Sequence, residues 1–131
     1  MNISHWISKH AAFTPNKTAI HFGDSVISYA TLAEQIEQAA ASLQLQLGVA
    51  RGDRVSILAC NVPEYLIAFF ACAKLGAMLN PLNWRLAVPE LLYILQNAYS
   101  SVLLVEEEFA AVAEPLQREL PTCKVVGFDF T

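Results

Sequence analysis

Three short apolar runs, each separated from the next by a helical pattern, limit this chain more than anything else in it. They are Arg54-Val-Ser-Ile-Leu-Ala59, Ser101-Val-Leu-Leu-Val105 and Lys124-Val-Val-Gly-Phe128. A strand with one wet face alternates apolar and polar residues, whereas a strand covered on both faces is apolar throughout. Parallel strands need long crossovers, and helices supply them. The pattern predicts an α/β fold, a three-layer, mostly parallel sheet flanked by helices. Ala77-Met-Leu-Asn80 reads as a further extended segment ending at Pro81.

Before the first of these runs the pattern differs. Ile3, Trp6, Ile7, His10 and Ala11 fall on one helical face, closed by Phe13 and Pro15. That face reads as packed on its own domain, because the polar side lacks the basic residues of a membrane-surface helix. Residues 18–22 and 26–28 flank Gly23-Asp24-Ser25 and read as an N-terminal β-hairpin. Leu32, Ile36, Ala39, Ala40, Leu43 and Leu47 then repeat at helical spacing, with Ser28 or Thr31 as cap and Gly48 as stop. Asn61-Val-Pro-Glu64 reads as a helix start with Asn61 as cap and Glu64 completing a capping box. The helix that follows is apolar on nearly every side, which predicts burial between layers, and Gly76 stops it. Pro89 opens another helix, and a last one runs from near Glu107 to Leu120.

Composition excludes several classes. Charged residues are 15% of the chain, against about 25% in an average soluble domain, and 55% are hydrophobic. Such a surface belongs on a membrane protein or on a lobe that other parts of a protein cover. The longest apolar stretch, residues 65–79, contains Lys74 and falls short of the about 20 apolar residues of a spanning helix. The N-terminus has no signal-peptide core, so the expected location is the cytoplasm. A net charge of −4 with no basic stripe argues against nucleic acid. The three cysteines, Cys60, Cys72 and Cys123, are far apart among apolar neighbours and read as buried thiols.

No catalytic motif is present. The five glycines form no Gly-x-Gly and none precedes a lysine, so neither a dinucleotide fingerprint nor a phosphate-binding P-loop occurs. His5 and His10 lack the spacing of two ligands on one helix face, and His21 alternates with Ile20 and Phe22 toward solvent, so no metal site is expected. Glu106-Glu107-Glu108 reads as a solvated helix start. No catalytic, cofactor-binding or metal-ligating residue is assigned.

The order of the segments is nevertheless distinctive: Thr14-Pro-Asn-Lys-Thr-Ala-Ile20, Ser28-Tyr-Ala-Thr-Leu32, Gly48-Val-Ala-Arg-Gly-Asp-Arg-Val55, Asn61-Val-Pro-Glu-Tyr65, Phe69-Phe-Ala-Cys-Ala-Lys-Leu-Gly-Ala77, Asn80-Pro-Leu-Asn-Trp-Arg-Leu86 and Pro89-Glu-Leu-Leu-Tyr-Ile-Leu95. Together they resemble the N-terminal region of the AMP-forming acyl-CoA synthetases, within the adenylate-forming superfamily. The Asn80-to-Leu86 stretch looks most like the fatty-acid and aryl-acid CoA ligases.

The resemblance implies that residues 1–131 are the N-terminal subdomain of an AMP-binding domain, the first lobe of its large domain. It implies a parent enzyme that uses ATP, Mg2+ and CoA. A carboxylic acid, fatty by this reading, becomes an acyl-adenylate and then a thioester. The family's phosphate loop, ribose aspartate and catalytic lysine have no counterpart here, so the chain by itself is expected to be inactive. Its expected partners are the remainder of the parent enzyme and, through exposed apolar surface, other copies of itself. Trp84 and Arg85 are the candidate residues for an acyl path or an interface, set against a reading in which Trp84 packs on the sheet and Arg85 pairs with a carboxylate. The competing functions are a stand-alone, non-catalytic α/β binding module, which calls for a polar surface, and a small nucleotide-binding protein, which calls for a glycine loop.

Overall fold

The computed structural model describes residues 2–128. A 3-10 turn over Ile3–His5 leads into α1 (Trp6–Phe13), then the hairpin β1 (Thr18–Phe22) and β2 (Ser25–Ser28). Next come α2 (Tyr29–Leu45), β3 (Arg54–Leu58), α3 (Pro63–Leu75), β4 (Met78–Pro81) and α4 (Val88–Ala98). β5 (Val102–Val105), a 3-10 turn at Glu107–Phe109, α5 (Ala110–Glu119) and β6 (Lys124–Gly127) complete it.

The four later strands form one parallel sheet in the order β4-β3-β5-β6, and the hairpin is a separate antiparallel pair. Period-two alternation divides the sheet's residues between two cores. Val55, Ile57, Val102 and Leu104 face α2 and α3. Leu58, Leu103 and Val105 face α4 and α5. β3 and β5, the two inner strands, are largely apolar because both of their faces are covered, whereas the outer strands β4 and β6 are partly exposed. Each large side chain so buried contributes about 1.5–3 kcal/mol before entropy is counted.

Local chemistry sets the element ends. Ser28 Oγ accepts a hydrogen bond from Thr31 N at 3.2 Å, capping α2. α3 ends at Gly76, whose φ of 71° is left-handed. A Cβ there would lie 3.0 Å from Arg51 Cγ, so both conformation and space favour glycine.

Two local expectations need correction. Asn61 does not cap α3. The N-cap is Val62, with no side-chain cap, and Pro63 is the first helical residue. Pro63 lacks an N–H, so one fewer orphan donor needs satisfying there. Nor is α3 buried on every side. Ile67, Ala68, Phe70, Ala71 and Cys72 are buried, whereas Leu66 and Phe69 are 45% and 40% exposed. α3 packs on the sheet, on α2 and on the N-terminal 3-10 turn, and its Leu66–Phe69 side is only partly covered by the described residues.

Candidate functional site

A parallel sheet offers its ligand crevice beyond the carboxyl ends of its strands, where the strand order reverses. In β4-β3-β5-β6 that point lies between β3 and β5. Cys60 follows β3 and Glu106 follows β5. The residues on these two connections meet: Glu106 Oε2 accepts a hydrogen bond from Cys60 N at 2.7 Å. Glu106 is therefore half-buried and bound to the neighbouring loop, which corrects its reading as part of a solvated helix start. The sequence signal missed was the placement of both residues immediately after paired strands.

Cys60 Sγ and carboxylate oxygens of Glu106 and Glu108 lie within 4.8 Å of one another. Burial, and then the charges of Glu106 and Glu108, push the Cys60 thiol above its usual pKa, while the charge of Arg85 opposes them. Cys60 is thus a half-buried, protonated thiol beside carboxylates, whereas Cys72 and Cys123 are buried as expected.

The loop after β4 comes near this pair, close enough for the charge of Arg85 to act on Cys60. Asn83 Oδ1 accepts from Arg85 N at 3.0 Å. Glu90 Oε2 accepts from Ala87 N at 2.8 Å, fixing the entry to α4. Trp84 packs on Phe109, with ring centroids 5.8 Å apart, and remains 40% exposed. The Arg85 guanidinium stands over the Trp84 ring at 4.5 Å. Trp84 therefore packs on the connection after β5. Arg85 makes no ion pair among the described residues, which corrects its expected pairing with a carboxylate. Stacking on indole replaces that pair, because the weakly hydrated guanidinium plane gains from the ring face.

Beside this loop a groove of about 760 Å³ runs along the ends of β5 and β6, with Val105, Val125 and Val126 among its apolar lining. Glu64, Glu106, Glu107, Glu108 and Glu114 line it, and no basic residue does. Carboxylates at this density repel a triphosphate, which requires backbone N–H groups and cations around it. The residues present do not fit ATP.

The model of the AMP-binding enzyme family matches residues 7–129. The chain belongs to that family. Within this AMP-binding family it is 44% identical over 129 residues to an indoleacetate–CoA ligase of Aromatoleum aromaticum, covering 98% of this chain and 25% of the relative. It is 39% identical over 111 residues to a feruloyl-CoA synthase of an Amycolatopsis species, covering 85% of this chain and 22% of the relative. A fatty acyl CoA synthetase of Mycobacterium tuberculosis superposes with a TM-score of 0.89 at 31% identity, over 98% of this chain and 26% of that one. The chain thus spans about a quarter of the length of the AMP-binding relatives it matches. The observed α/β arrangement is that of the N-terminal region of these enzymes.

Proposed function

We propose that this chain is the N-terminal subdomain of an ATP-dependent carboxylic acid–CoA ligase. The reading rests on one observation above all, the 44% identity carried across 129 residues to a CoA ligase. The whole enzyme would join the acid to the α-phosphate of ATP with loss of pyrophosphate, and then exchange AMP for the CoA thiol, using Mg2+. The lobe's part would be scaffolding: it presents the crevice end of a rigid parallel sheet to the residues that hold nucleotide.

The acid is proposed to have a hydrophobic body, fatty or aryl. The relatives' names support both, indoleacetate and ferulate on one side and fatty acyl on the other. Trp84 and Arg85 are proposed to border the acid's path, since the stacked pair stands at the crevice with an exposed indole edge.

The test is thioester formation by the complete gene product with ATP, magnesium, CoA and a panel of aryl and fatty acids. CoA thioesters and AMP in equal amounts support the reading. A complete product that turns over no acid refutes it. Arg85→Ala should raise KM for the acid without lowering thermal stability; a lower Tm with an unchanged KM would make the pair structural. Titration calorimetry of the 131-residue chain with Mg·ATP should register no binding.

A further inference from the structure

Arg85 stands among acids yet joins none of them. Its charge and those of Glu106 and Glu108 all act on the Cys60 thiol, so the guanidinium and the two carboxylates share one neighbourhood. No ion pair forms between them among the described residues. A mobile guanidinium readily pairs with a neighbouring carboxylate, because its fork matches the two oxygens in parallel hydrogen bonds. The geometry around Arg85 shows what restrains it.

The restraint is a stack of three side chains from two connections. Leu82 and Leu86 anchor the loop after β4 in the core that faces α4 and α5. Between them Leu86 N donates to Asn83 O at 3.1 Å and Arg85 N to Asn83 Oδ1 at 3.0 Å, which fixes the turn. The turn lays the Trp84 indole on Phe109 and the guanidinium on the indole. Phe109 is 8% exposed and belongs to that same core, whereas Trp84 and Arg85 are exposed. The buried phenyl ring is therefore the fixed end of the stack and the cation its outer end. β4 and β5 lie on either side of β3, so the contact also joins their two connections across the end of β3.

We infer that Phe109 is a positioning residue for the acid: through the Trp84 ring it keeps the Arg85 guanidinium off Glu106 and Glu108 and open to the substrate's carboxylate. This rests on the reading above, in which Trp84 and Arg85 border the acid's path. It adds the group that is recognised, the carboxylate rather than the hydrophobic body, and the residue that sets the cation ready. Holding the fork in place before binding removes an ordering cost that each acid would otherwise meet. The effect falls on acid affinity and is alike for aryl and fatty acids, because all carry the same carboxylate.

Thioester formation by the complete gene product carrying Phe109→Leu, against the same panel of acids, tests it. Leucine keeps the core largely filled and removes the ring face. KM for every acid should rise about fivefold with kcat retained. Phe109→Tyr keeps the ring and should restore KM. Trp84→Leu, at an exposed position, breaks the stack without touching the core and should raise KM as far. In an Arg85→Ala background Phe109→Leu should add nothing, because its effect runs through the guanidinium. A further readout needs no turnover. In the 131-residue chain with Trp6→Phe, Trp84 is the remaining tryptophan. There Phe109→Leu should shift its emission to the red and raise its quenching by acrylamide, with the circular dichroism of the fold retained. Unchanged quenching overturns the inference. So does a KM unmoved by Phe109→Leu, or a rise that persists in full without Arg85, which would make Phe109 a structural residue only. A wild-type product that forms no thioester overturns the ligase reading and this inference with it, and shows itself before any substitution is made.

Discussion

Tyr99 carries backbone strain at the end of α4. Its φ is 52°, and it is the one non-glycine residue at positive φ among those described. The left-handed conformation costs an L-residue about 1–2 kcal/mol. Its ring is 79% exposed and so recovers little by packing. Tyr99→Asn should raise stability by about 1 kcal/mol, read as a higher midpoint in urea, because Asn tolerates that conformation. Ser56 carries an opposite risk. It is fully buried, shares a hydrogen bond with Ser100 and accepts one from Asn80 Nδ2 at 3.0 Å. Ser56→Ala leaves both partners short in an apolar layer and should cost about 1–3 kcal/mol in chemical denaturation. Burial pushes the Cys72 thiol from 9.0 to about 12. The folded state therefore holds a proton that the unfolded chain releases, and the resulting stability is complete below pH 9 and lost as pH rises toward 12. Between those limits Cys72→Ala should weaken the fall of the folding constant by about tenfold per pH unit, although the variant is less stable below pH 9.

At the scale of elements, what the sequence made legible was local. Leu32, Ile36, Ala39, Ala40 and Leu43 repeat at helical spacing and are all buried on α2. Ser28 caps that helix, and Ser28→Ala should lower stability by about 1 kcal/mol, measurable as a lower Tm. The first two apolar runs likewise became strands covered on both faces, β3 and β5, while the third became the partly exposed β6. What escaped was contact between distant residues. Nothing local announces that Glu106 binds the loop at Cys60, or that Arg85 meets an indole instead of an acid. The candidate pair Trp84–Arg85 was found because loop aromatics next to cations stand out. Its partner Phe109 was not, because a phenylalanine at a helix start looks like core. The exposure of α3 was hidden for a different reason: composition reports that a helix has apolar sides, and only the surroundings decide which sides are covered. The expected cap at Asn61 failed because Pro63 already fixes where the helix starts.

For the whole molecule, the exposed apolar surface matters most. Trp6, Phe13, Leu66, Phe69, Met78 and Tyr93 all stand at least 40% exposed. Surfaces of this kind bind hydrophobic dyes and associate. The isolated chain should bind anilinonaphthalene sulfonate in its native state, and Leu66→Gln with Phe69→Gln should reduce that signal with little change in Tm. The strand order carries a further consequence, for synthesis. β3 is made first and lies inside the sheet; β4 docks on one side of it, β5 on the other, and β6 on β5. Each strand after β3 thus finds its neighbour already made as it leaves the ribosome, so these four strands can be added one at a time during translation.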